Sequence, residues 1–587
     1  MAITVGKQHS IHSGSSCSLS PGRNPSADGA EGVVPHERGQ WSIMAVHSKQ
    51  SLLRSSESSS CSEPKALRTM SNPMSKSASE DEQEQHAKVA AYVSRMEIVK
   101  PEVLRVTRAH QAFQGFARAL RPSPGGDLYK KSQMSTEVSS FWSHSWHGGH
   151  WTKIFSLLMH YNGLPSVLLG LLAAVVMAIL FGFGLLPGIV RFWSPEDMQW
   201  STWSSCFGFL VSVLSFFLWR SQQRVFLDRI CINEHDEDLK SASIFSLAGI
   251  LKRSKEMLVL WDSTWSDRLW CVFELSAFLR AKQCPEASQQ VLLITPTFLG
   301  PCSVALFVGA FMVCLPITTV STTWISKKVI TKAGFSSLHL SVTLPIGAAI
   351  LLVITGGYVL MIAFRSYFRS VEELKEKLQK VSCRTARCSC CDSGHDIGGV
   401  NVLCDRKIVQ ECVTIWFGSQ KDFEHCARTE VLEVLTRGLE EQLLTRGWSL
   451  SVTMPVLWAF LDLAASFAAF DFKNQALEFA IEGFVLWFLV APIFIDFCIF
   501  LASRYCHRAS TSFWDSLKTL GLLFLAMATF ATFAGSFLLA RLIIKPGGDV
   551  LVRAGLFASF WGVVALCHFL YRSKGQGFTK CPLSWWS

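Results

Sequence analysis

No Asp, Glu, Lys or Arg occurs from Ile154 to Val190, Met198 to Trp219, Ala287 to Ser326, Ala333 to Phe364, Thr519 to Ala540 or Ala554 to Tyr571. Crossing about 30 Å of hydrocarbon takes about 20 apolar residues in a helix, so each stretch is long enough to span a bilayer once. Two further apolar runs, Ser451–Phe470 and Leu477–Ala502, carry acidic residues and complete a set of about eight spans. The chain therefore reads as a polytopic α-helical membrane protein, with the lipid bilayer as its first partner.

An even number of spans places both termini on one side. Arg220–Pro285, Arg365–Trp448, Ser503–Lys518 and the tail with Arg572, Lys574 and Lys580 fall on that same side. Arg and Lys cluster there as expected for cytosolic flanks, although Lys327, Lys328 and Lys332 run against the trend. The 19 cysteines lie in spans or on that side, which predicts reduced thiols. The net charge of +10 follows from this flank bias, so no nucleic acid is expected as a partner. The expected location is integral and multi-pass, with both termini cytosolic.

Residues 1–85 are rich in Ser and small polar residues and poor in aromatics, the composition of a disordered segment. No apolar run near Met1 suggests a cleavable signal. The expected order is then a cytosolic segment over 86–162, spans 1 and 2 over 163–219, and an α/β module over 220–297. Spans 3 and 4 follow over 302–364, a helical cytosolic segment with a Cys/His cluster over 365–448, spans 5 to 8 over 449–571, and a tail over 572–587. No repeat of 20 to 50 residues is present, which removes solenoids and propellers.

The island between spans 2 and 3 alternates strand and helix. Val225–Ile232 is β-branched and apolar; Ile244, Leu247, Ile250 and Leu251 share one helical face. Met257–Trp261 has the length and continuous apolarity of a buried strand, helical spacing resumes from Leu269 to Leu279, and Gln289–Thr295 is another strand candidate. Phe141–Ser145, upstream of span 1, is also strand-like, and Trp151–Tyr161 is expected to be a helix running into that span. The alternation predicts parallel strands with crossover helices, a doubly wound layer whose working site lies at the carboxyl ends of the strands.

These residues resemble a Toll/interleukin-receptor (TIR) domain. Phe141-Trp142-Ser143-His144-Ser145 is similar to its first strand, Val225–Asp228 to its second, and Trp270-Cys271-x-x-Glu274-Leu275 to its Trp-Cys-x-x-Glu-Leu element. Two spans separate the first strand from the second, where the family has a short connection. The whole organisation resembles multi-pass TIR-like proteins of algal protists. The resemblance implies signalling or assembly through the module, by self-association or with other TIR-like modules. It also implies a rival: an NAD-cleaving enzyme with Glu274 as catalytic residue and Ser143, Ser145 and Asp228 facing NAD. A carboxylate there would stabilise the oxocarbenium-like state of a breaking nicotinamide–ribose bond. The bland readings are that Glu274 pairs with Arg268 or caps its helix, and that Asp228 fixes a loop.

Cys388-x2-Cys391-x3-His395-x8-Cys404 offers three thiolates and one imidazole, a sufficient set for structural tetrahedral zinc. Cys383 and Cys390 are spare thiols nearby; palmitoylation or redox chemistry are the competing uses. Asp462, Glu482 and Asp496 fall in or near spans 5 and 6, where ionisable groups often line ion paths. A channel or transporter using spans 5 to 8 is therefore a second rival, although no selectivity filter or phosphate-binding loop is present.

Overall fold

The computed structural model describes residues 78–121, 127–190, 199–283, 291–324, 340–397, 400–433, 446–543, 555 and 557–564. Helix dominates these residues. They also contain a six-stranded sheet of β1 (Arg105–Arg108), β2 (Gln133–Met134), β3 (Val138–His144), β4 (Arg224–Phe226), β5 (Ser254–Trp261) and β6 (Val291–Pro296). Its spatial order is β2-β1-β4-β3-β5-β6.

Strands β4, β3, β5 and β6 run parallel, while β1 and β2 add an antiparallel margin beside β4. The central strands are buried over nearly all their length, which accounts for their unbroken apolar runs. Phe141 of β3 is in register with both Phe226 and Met257, and the Phe141 and Phe226 rings stack at 5.1 Å. Segments on either side of the first helical pair thus share one sheet.

Strand β4 is shorter than the Val225–Ile232 run suggests. It stops at Phe226 because the amides of Ile230 and Cys231 turn back to Leu227 O, and that of Ile232 to Asp228 O, closing a helical turn.

The helices begin with α1 (Ala78–Ser94), which starts inside the segment expected to lack structure. Residues 1–77 and the 572–587 tail lie outside the described residues. Helix α2 (His150–Gly182) leaves β3 after five residues and runs 33 residues without a break. Helix α3 (Trp203–Leu218) returns to β4, so the first crossover of the sheet is a pair of apolar helices. They pack closely: a Cβ added at Gly170 would collide with Ser212, the small-residue contact by which helices associate in lipid. The later crossovers are ordinary in scale, α4 (Glu237–Phe245) with α5 (Leu247–Lys252), then α6 (Leu269–Lys282).

Strand β6 leads into α7 (Leu299–Trp324), and α8 (Leu340–Gln379) follows as a single 40-residue helix. Beyond it lie a two-stranded hairpin, β7 (Asp396–Ile397) and β8 (Val400–Asn401), and α9 (Asp405–Phe417). The remainder is α10 (Arg446–Val452), α11 (Met454–Ala469), α12 (Lys473–Arg504) and α13 (Ser512–Ile543). Among the described residues, α2 and α12 are long and apolar enough to cross a membrane, with mean hydropathies of 2.6 and 2.5. Helices α10 and α11 together form a third such segment, bent by 54°.

Two buried ionisable side chains hold these helices in place. Asp462 of α11 accepts bonds from Ser201 Oγ at 2.7 Å and from the amides of Ser204 and Ser205 at 2.8 and 2.9 Å. It therefore caps the amino end of α3 from a neighbouring helix. Arg365, 1% exposed, donates to the carbonyls of Tyr505 and His507 beyond α12 and to the Asp515 carboxylate at 2.7 Å.

Candidate functional site

The carboxyl edge of the parallel strands gathers the chemistry. Ser143, at the end of β3, donates to the Glu274 carboxylate of α6 at 2.5 Å and accepts from Trp265 Nε1 at 3.0 Å. Strand order reverses here, between the first strand of the parallel set and its neighbours, which is where doubly wound sheets leave a crevice. Burial pushes the Glu274 carboxyl up to about 8; the Ser143 bond opposes the shift and the Asp228 charge adds to it. At neutral pH Glu274 is therefore mostly a protonated acid that can donate a proton.

The neighbouring loops are built by their own side chains. Asp228 accepts from Trp146 Nε1 at 3.2 Å and from the Arg229 amide at 2.7 Å, while Arg229 lies 4.1 Å from the Trp146 ring centre. Ser145 Oγ pairs with Thr264 Oγ1 at 2.8 Å, and Asp262 accepts from the Thr264 amide at 2.8 Å. Lys153, in the first turn of α2, reaches the Ser145 and Gly148 carbonyls and lies 3.7 Å from the Asp262 carboxylate. His144 is buried and held down to about 3 chiefly by that burial, so it stays neutral.

Of the residues that sequence singles out, Ser143 and Glu274 are in direct contact. Asp228 is a charge neighbour, engaged in fixing its loop, and Ser145 is turned toward Thr264. Trp265, Asp262 and Lys153 complete the edge. The sequence places the Asp262–Asp267 loop at this edge, after the Met257–Trp261 strand; Lys153 carries no such signal.

Helix α8 covers part of the same edge. Its last turns donate through Lys377 to the Ser263 carbonyl and, at 3.4 Å, to the Asp267 carboxylate. A cavity of about 240 Å³ lies between this helix and the ends of β5 and β6, lined by Asp262, Thr297, Ser370 and Glu373 among others.

The second centre is the Cys/His loop. Ligand atoms of Cys390, Cys391, His395 and Cys404 all lie within 4.8 Å of one another, a group that could hold a metal ion. The spacing points to Cys388, Cys391, His395 and Cys404; the geometry groups Cys390 with the last three, with Cys388 adjacent. Cys388 precedes the Ser389–Asp392 turn with extended backbone, and groups instead with Cys390 and Asp405. Its Sγ is 3.1 Å from that of Cys390. The hydrogen bond with Cys390 holds the Cys404 thiol below its ordinary value. The Cys404 amide donates to His86 Nε2 at 3.0 Å, tying the loop to α1.

No family model, curated protein or solved structure matches this chain.

Proposed function

We propose that this chain is a membrane-anchored TIR-like signalling protein of about eight spans with both termini cytosolic. Its α/β module acts through self-association or with other TIR-like modules. The observation that carries this reading is the direct continuity of sheet and membrane helices: β3 runs into α2, β6 runs into α7, and α8 returns to grip the 263–267 loop. A change in helix packing within the bilayer therefore has a covalent route to the carboxyl edge of the sheet. Zinc in the Cys/His loop, as a structural ion, belongs to the same reading. The test is co-purification of two differently tagged copies reconstituted together in liposomes. Retention of one tag with the other supports assembly, and full separation at every protein density refutes it.

A second reading is NAD cleavage, favoured by the contact between Ser143 and the raised carboxyl of Glu274. It predicts NAD loss by the full chain that disappears in Glu274→Gln. Transport through the acidic spans has less support, because Asp462 is engaged in capping α3.

A further inference from the structure

The Cys/His loop is joined to the start of the helix that carries Glu274. The Arg387 amide donates to Asp267 O at 2.6 Å, and the Leu269 amide donates to Arg387 O at 3.0 Å. Leu269 is the first residue of α6, and its N–H is one of the donors that a helix start leaves without an intrahelical partner. Arg387 O therefore caps α6 from a remote segment. Cys388 is the next residue in the chain, and the turn carrying Cys390 and Cys391 begins directly after it.

We propose that one thiophilic divalent ion, held by Cys390, Cys391, His395 and Cys404, pins Arg387 against the amino end of α6 and so acts as a positioning centre for Glu274. Tetrahedral zinc with thiolate bonds of about 2.3 Å sets its sulfurs about 3.8 Å apart, and the four donors are already gathered to that scale.

Two features of one residue, His395, point to an occupant. His395 Nε2 is buried with no hydrogen-bond partner among the described residues. His395 also holds a left-handed backbone (φ 64), directly after Gly394 (φ 68), a conformation that costs a side-chain-bearing residue and brings its imidazole to the thiols. Cys390 Sγ accepts the Asp405 amide at 3.3 Å, the kind of outer bond that orients a metal-bound thiolate. Cys388 stands beside the site as a spare thiol, outside the ligand set.

The functional consequence rests on the reading of Glu274 as a working residue; the metal and exchange readouts below do not. The full-length chain in nanodiscs is assayed for bound metal, and hydrogen exchange of its backbone is followed before and after a chelator. The expected result is about one zinc per chain, retained in Cys388→Ser and lost in Cys390→Ser and Cys404→Ser. Chelation of the wild-type chain speeds exchange at the Leu269 amide about tenfold, as for loss of one helix cap, while β3 and β5 keep their protection. A folded chain without metal, loss of metal in Cys388→Ser with retention in Cys390→Ser, or unchanged Leu269 exchange after chelation each overturns the proposal. A Glu274→Gln variant silent in every functional assay overturns the positioning role, while the metal and exchange results decide the metal centre and its cap separately.

Discussion

The hydroxyl of Ser143 donates to the carboxylate of Glu274 at 2.5 Å across a sequence separation of 131 residues. The intervening chain includes α2 and α3, so the contact joins segments that lie on either side of the apolar helical pair.

Ser143→Ala removes the one hydrogen bond that lowers the Glu274 carboxyl. Its titration should move above about 8, read as the protonated-carboxyl infrared band persisting to higher pH than in the wild type. A band titrating at the wild-type pH contradicts this assignment of the bond.

The raised carboxyl also sets a pH dependence of stability. The folded chain keeps the Glu274 proton up to about 8, whereas the unfolded chain releases it near the ordinary value of 4.5. Between those limits the unfolded state binds fewer protons, so this group's contribution falls as pH rises, by up to about tenfold in folding constant per pH unit. Glu274→Gln should flatten that slope between pH 5 and about 8 in chemical unfolding of the detergent-purified chain. A slope unchanged in the variant contradicts the shift.

Asp462 binds two amides of α3 as well as the Ser201 hydroxyl. Asp462→Ala should cost about 1–3 kcal/mol, because buried donors lose their acceptor, and Asp462→Asn should recover part of that loss. Thermal unfolding in detergent checks both; an unchanged midpoint in the alanine variant removes the capping role.

Arg365→Met leaves Asp515 and two backbone carbonyls without their buried donor. Asp515 is partly exposed and keeps Arg369 and the Ala509 amide, so the expected loss is about 1–3 kcal/mol, seen as earlier proteolysis between α12 and α13. Wild-type protease resistance contradicts it.

Much of the sheet was legible because buried parallel strands read as apolar runs, as in Met257–Trp261, and because Trp270 to Leu275 forms a compact pattern. The β1 strand was not, since Arg105-Val106-Thr107-Arg108 is short and charged at both ends; its place is fixed by pairing with β4. Strand β4 ends short of its apolar run for a local reason, the helical turn that Leu227 and Asp228 close. At the Cys/His loop, spacing favoured Cys388 because a two-residue gap is the usual knuckle. The extended backbone at Cys388 places the turn one residue later and brings Cys390 into the group. The pairing of Arg387 with Asp267 and Leu269 has no signature in either segment. Such backbone bonds depend on how distant pieces pack, and side-chain chemistry does not encode them.

Assembly of the module at the membrane is the central claim, and counting copies tests it most directly. Single-molecule photobleaching of the full chain, one fluorophore per copy, in liposomes at low protein density should give two or more bleaching steps per spot above the random expectation. Single-step bleaching at every density would contradict the account.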